Sequence, residues 1–305
     1  MENKNSDYQP LPYYEVNNLC KGFSKLKDNC WNFSIISKSN SNVFENEYLA
    51  GFVQGKLQGG LMIMAARNNT WKNTYLCDQS HSFPKNIDPT ENELKLAERC
   101  LLDNYEYTYN WIRQNPNKKL AINLKRLFFR MLGIVDGITY QTPLKSRTFE
   151  SISPESLPEL SKKLGLHSQA PTFLDIYFLN AQLDMFDVIS NSLEATYGIH
   201  KSDHCSAFLK RTEDGDIYWT HNSWCGFLSQ SHTITYTIGN ENKSSDRKEN
   251  IDFITQNSYC PGQLGSNMDF GFNGHGICFN ETTHRYSALT PPQKQKVFGF
   301  VGVRL

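Results

Sequence analysis

Cys205 stands in the run Asp203-His204-Cys205-Ser206-Ala207-Phe208-Leu209-Lys210, and His221-Asn222-Ser223-Trp224 follows a short distance on. A thiol is the side chain best suited to attack a carbonyl near neutral pH. Cleavage just before Cys205 would expose an α-amine with a pKa of about 7.7–8 beside it. One residue would then carry nucleophile and base together. Amide or ester cleavage also needs donors aimed at the developing oxyanion, each worth about 2.7–4 kcal/mol. Asn222 and backbone amides have that chemistry, and His221 is placed either to shuttle a proton or to hold the site together. A cysteine at the head of a strand is, by itself, more simply a small buried hydrophobe. Its neighbours are what point to catalysis.

The elements that must position these residues are legible as patterns. Ala207 to Lys210 and Ile217 to Thr220 have the period of strands and flank Asp214-Gly215-Asp216, a hairpin signal. The hairpin returns His221, Asn222 and Trp224 toward the level of Cys205. His232 to Ile238 alternates again, and the glycine-rich run from Pro261 to Thr283 reads as further strands and tight turns. Upstream the period is helical. Asn46 to Arg67 carries apolar positions at helical spacing, with Gly51, Gly55 and Gly59 repeating every four residues, a row that lets another element approach closely. Asn92 to Gln114 reads as a second helix stopped by Asn115-Pro116. Leu120, Leu124, Leu127, Phe128, Met131, Leu132 and Val135 form one stripe of a third, which Gly133, Asp136 and Gly137 are expected to weaken and end. Pro143 to Pro171, rich in Ser, Pro and Lys, reads as a surface connection with a short helix after Pro158. Helix-like character returns at Met185 to Ile189. Helices first and strands later is an α+β pattern.

Composition narrows the function classes. With 39% hydrophobic residues over 305 positions the chain can bury one large core or two modest ones. Its 31 basic and 31 acidic residues cancel, and no long basic run suits phosphate, so nucleic acid is not expected as a partner. The eight cysteines are dispersed without a CxxC pair, and His200, His204 and Cys205 lack a second cluster to complete a metal site. The apolar stretch from Leu57 to Ala66 is too short to span a bilayer, so no transmembrane anchor is expected. The first residues show no apolar signal segment. A papain-like protease is disfavoured because there the cysteine leads a long helix and its histidine lies far downstream.

Separated segments also match one family's motifs, in order. Tyr48-Leu49-Ala50-Gly51-Phe52-Val53-Gln54-Gly55 is similar to an AAGFxEG helix, and Leu132-Gly133-Ile134-Val135-Asp136-Gly137 to a GLxDGY segment. Leu179-Asn180-Ala181-Gln182-Leu183-Asp184 is similar to the stretch before that family's processing site. His204-Cys205-Ser206-Ala207 matches HCSA, and His221-Asn222-Ser223-Trp224 matches HNTW. Pro261-Gly262 with Ser266 and Asp269 matches PGxLxSxDDF, and Glu281-Thr282-Thr283 matches ETT. On these residues the chain resembles the phospholipase B-like family, a branch of the N-terminal nucleophile hydrolases.

The resemblance implies a proenzyme cut between His204 and Cys205, with Cys205 as nucleophile, His221 and Trp224 lining the site and Thr282 adding polar contacts. It implies a four-layer αββα sandwich with two antiparallel sheets between helices. The implied activity is hydrolysis of phospholipid acyl esters or N-acyl amides, without metal or cofactor. Family members are mostly lysosomal or secreted. Residues 1–204 would form a mainly helical part and 205–305 a strand-rich catalytic part of one intertwined domain. The family carries a long stretch after ETT, including an oxyanion-hole Asn, whereas Leu305 lies 23 residues past Thr282. A shortened, incomplete sandwich is therefore expected. The alternative is an inactive relative acting as a lipid-binding or interaction protein. Substrate, disulfide pairing and oligomeric state are not legible.

Overall fold

The computed structural model describes residues 10–27, 30–38, 42–68, 91–157, 171–181, 206–222, 233–242, 250–259, 261–264, 270–273 and 277–280. The short helix expected after Pro158 and the helical run at Met185 to Ile189 lie outside them. The molecule is α+β, built on a seven-stranded sheet with one helix packed against its first three strands and another helix packed on that one.

Three strands open the chain, β1 (Tyr13–Val16), β2 (Cys20–Lys27) and β3 (Cys30–Ser37), paired antiparallel in sequence order. Helices do not come first. Their apolar positions are few and interrupted by Lys, Ser and Gly, so they lack a strong alternating signature. Cys20 and Gly22 on β2 and Phe33 and Ile35 on β3 are nevertheless buried, and Gly22 lies under Val53 and Leu57 of the first helix. That helix, α1 (Val43–Asn68), starts at Asn42, whose side-chain oxygen accepts from the Phe44 and Glu45 amides at 3.1 and 3.3 Å.

Helix α2 (Glu91–Gln114) ends at Asn115, whose amide nitrogen donates to the Trp111 carbonyl at 2.9 Å, and Pro116 follows. Helix α3 (Lys119–Thr139) runs straight through Gly133 and Gly137 and stops only at Tyr140. The expectation that these glycines end the helix is corrected, and the cause is packing against α1. A Cβ on Gly51 would fall on the Arg130 carbonyl oxygen, and one on Gly55 on that of Ile134. One on Gly133 would fall on the Tyr48 carbonyl oxygen, and one on Gly137 on that of Phe52. Two glycine rows thus interlock, bringing the backbones of α1 and α3 into contact. Glycine's propensity cost in a helix, about 1 kcal/mol each, is outweighed by that approach.

The segment after α3 is also corrected. Residues 143–157 are not simply a surface connection: a 3-10 turn, Phe149–Ile152, buries both of its apolar ends, and Leu157 is buried beyond it. Phe149 stacks on Tyr109 with ring centroids 4.5 Å apart, and the Tyr105 hydroxyl donates to the Ile152 carbonyl. Helix α4 (residues 173–181) adds Phe173 and Tyr177, which pack on Tyr105 and Phe128. Thr172 and Asp175 cap this helix reciprocally, Thr172 N donating to Asp175 Oδ2 at 2.7 Å and Asp175 N to Thr172 Oγ1 at 3.2 Å.

Beyond α4 the chain forms the expected hairpin, β4 (Ser206–Arg211) and β5 (Ile217–Asn222), as a separate two-stranded sheet. Then β6 (Thr233–Asn242) enters the large sheet parallel to β3, from Trp31↔Thr233 to Ser37↔Gly239. It is followed antiparallel by β7 (Asn250–Tyr259), β8 (Phe270–Asn273) and β9 (Cys278–Asn280). Gln58 of α1 reaches Thr235 of β6, both buried, with 3.4 Å between Nε2 and Oγ1.

Candidate active site

The hairpin sets the site's geometry. Its loop closes through the Thr212 amide to the Asp216 carbonyl at 2.9 Å and the Gly215 amide to the Thr212 carbonyl at 3.1 Å. Gly215 sits at φ 94°, a conformation that side chains resist. The Thr212 hydroxyl donates to Asp214 and holds its carboxyl below the usual range. With the turn fixed, the register follows: Asn222 lies opposite Ser206 and His221 opposite Ala207. These two residues of β4 are the first and second after Cys205 in the chain.

The same register separates the two candidates. Side chains alternate across a strand, so Asn222 shares a face with Ser206, Phe208 and Thr220, whereas His221 shares the other with Ala207, Leu209 and Trp219. His221 is half-buried and Asn222 exposed. Phe208, Leu209, Ile217 and Tyr218 are 54–73% exposed, so apolar side chains line both faces. His204, Cys205, Trp224 and Thr282 lie outside the described residues. Of the residues singled out by the sequence, the structure describes His221 and Asn222, at adjacent positions of one strand and on opposite faces of the hairpin. Among the described residues there is no group of three or more His, Cys, Asp or Glu able to hold a metal ion. No helix among them is long and apolar enough to cross a membrane.

The other motif segments have structural work. Asp136, fully buried, receives Arg147 Nε and Nη2 at 2.6 Å each and the Tyr48 hydroxyl at 2.8 Å. The Leu144 amide in turn donates to Tyr48 at 3.0 Å, pinning the segment after α3. Burial, foremost, pushes the Tyr48 hydroxyl well above its ordinary pKa, and the bond to Asp136 raises that of Arg147. Gln54 accepts Arg130 Nε and Nη2 at 3.0 and 2.9 Å inside the α1–α3 contact. Asn180 was legible only as a motif position. Its carboxamide donates to the Ile176 and Gly262 carbonyls at 2.8 and 3.0 Å and accepts from the Leu264 amide at 2.6 Å. No local pattern reveals contacts across 82 and 84 residues.

Comparison with known proteins agrees with this arrangement of motifs. The family model for phospholipase B matches residues 19–290, and the chain belongs to that family. It is similar to phospholipase B-like protein B of Dictyostelium discoideum, 27% identical over 181 residues. That match covers 59% of this chain and spans about a quarter, 27%, of the relative's length.

Proposed function

We propose that this chain is a self-processing hydrolase of acyl-ester or amide bonds, with Cys205 as its nucleophile. Family membership supports a hydrolase in general and a lipid as the substrate class. The observation that carries the finer reading is the hairpin register, Ser206↔Asn222 and Ala207↔His221, which supports two polar groups flanking the start of β4. In the proposed reaction Cys205 Sγ attacks the His204 carbonyl carbon, the C–N bond breaks, and the released amine of Cys205 takes the proton. Water then hydrolyses the thioester, freeing the thiol beside its own α-amine. In turnover the amine accepts the thiol proton while the thiolate attacks the substrate carbonyl. The ester or amide bond breaks as that proton passes to the departing alcohol or amine, and water hydrolyses the acyl thioester to release the acid and restore the thiol. His221 lines the site on one face of the hairpin, Asn222 donates toward the oxyanion, and Trp224 and Thr282 complete the substrate contacts.

The fold that fits this chemistry is the αββα sandwich. A large sheet with α1 packed on β1–β3, and α3 behind α1, supports one half of it. Residues 1–204 and 205–305 then form one intertwined domain rather than two. The test is the intact mass of the purified protein: a fragment beginning at Cys205 is expected, and Cys205→Ala should abolish both it and hydrolysis of a phospholipid or simple N-acyl amide. Unchanged cleavage in that variant rules out the nucleophile assignment. A second reading, a lipid-binding or interaction protein without activity, is favoured by the exposed Phe208, Leu209, Ile217 and Tyr218. An uncut chain that co-sediments with phosphatidylcholine vesicles and hydrolyses nothing would establish it.

A further inference from the structure

Helix α4 is the last described element before the hairpin, and its last turn is tied to a segment on the far side of Cys205. The Asn180 carboxamide bonds the Gly262 carbonyl and the Leu264 amide simultaneously, with 3.0 and 2.6 Å separations, as a peptide group would in a sheet. Gln263, between them, is buried and donates back to the Leu179 carbonyl at 3.2 Å. Gly262 has φ 92° and lies so close to the helix that an added Cβ would sit 3.1 Å from Leu179 Cδ1. Both ends of the Asn180 carboxamide are engaged, which fixes its orientation.

The joint's place in the sheet gives it a role. The Pro261–Leu264 turn follows β7, whose Tyr259 pairs with Thr233, the first residue of β6. The chain leaving the hairpin at Asn222 therefore enters the large sheet at the end where α4 is fastened. Asn180 thus fastens the end of α4, beside the end of the sheet at which β6 begins.

We infer that Asn180, with Gln263, is a positioning residue for cleavage before Cys205, setting the base of the segment that carries the scissile bond. This rests on the self-processing reading above. Asn180 acts through the chain it anchors. Loss of such an anchor far from the chemistry can misplace the reacting groups enough to cost about a hundredfold in rate.

The experiment follows formation of the Cys205-terminated fragment by mass spectrometry in wild type, Asn180→Asp and Gln263→Met, with folding monitored by near-ultraviolet circular dichroism. In Asn180→Asp an oxygen replaces the donor facing the Ile176 and Gly262 carbonyls. Processing should slow by about tenfold or more at pH 7.5. The partners of Asn180 are uncharged backbone groups, so protonating the introduced carboxyl restores a donor. The variant's rate relative to wild type should therefore recover as pH falls toward 5. Gln263→Met, which loses the reciprocal bond but keeps the volume, should slow processing by about two- to fivefold without that recovery. If Asn180→Asp does not fold, Gln263→Met decides alone. Wild-type processing rates in the folded variants overturn the inference, as does a slowing that does not recover in acid. Failure of wild type to be cut at all overturns the self-processing reading instead.

Discussion

The thiols of this chain differ by environment. Cys20 is buried under α1, and desolvation pushes its thiol up to about 12, so at neutral pH it stays protonated and inert. Cys278 is exposed on β9. Brief treatment of the native protein with iodoacetamide at pH 7.5, followed by peptide mapping, should therefore modify Cys278 and spare Cys20. Labelling of Cys20 in the folded state would mean that β2 does not pack under α1. Asp175 offers a second residue-level test. Burial raises its pKa above the ordinary carboxyl value, against the two hydrogen bonds from Thr172 that lower it. A group so raised contributes stability that is complete below its unfolded pKa, about 3.9, and lost as pH rises through the folded value. Wild type should thus gain stability over Asp175→Asn as pH is lowered from 7 toward 4, read from urea midpoints. A gap that shrinks instead would place the carboxyl in a solvated cap.

At the scale of elements, the two glycine rows decide more than any apolar stripe. A methyl at Gly133 meets the Tyr48 carbonyl oxygen, a backbone atom that no rotamer change can move. Gly133→Ala gains about 1 kcal/mol of helix propensity but overpacks the contact, a cost of about 1–3 kcal/mol or more, so destabilisation is expected. At Gly59 an added Cβ meets the Ile138 side chain at an ordinary 3.4 Å. Gly59→Ala should therefore stabilise by about 0.4–1 kcal/mol. Opposite shifts in thermal midpoint for two glycines of one interface are the outcome to look for; equal shifts would mean the helices sit further apart. Gly51, Gly55 and Gly59 were legible in the sequence as a row inviting close approach, whereas Gly133 and Gly137 read as helix breakers because their partner is not local. The hairpin was legible for the converse reason: Asp214-Gly215 and its flanking strands are contiguous. Strands β1–β3 were not, because their apolar positions are sparse and a buried position such as Gly22 is covered by Val53 and Leu57 of α1, which are distant in sequence.

For the whole molecule the governing contact is the parallel pair β3–β6, which joins residues 31–37 to 233–239 across the entire helical region. Such a pairing joins segments 202 residues apart and leaves no local sequence signal. It also decides what a break near Cys205 does. Among the described residues, hydrogen bonds cross that point from β3 to β6 along seven residues, from Gln58 to Thr235, and from Leu179 and Asn180 to the 262–264 turn. The N-terminal strands have β6 as their continuation in the sheet, so neither piece keeps its sheet intact without the other. Cutting the chain between Ala181 and Ser206, whether by its own chemistry or at an introduced protease site, should leave two pieces that co-elute at the mass of the intact protein. They should part only in denaturant. Separation in native buffer after cleavage would show residues 1–204 and 205–305 to be independent domains. Because the introduced site needs no activity from Cys205, the result bears on the architecture alone.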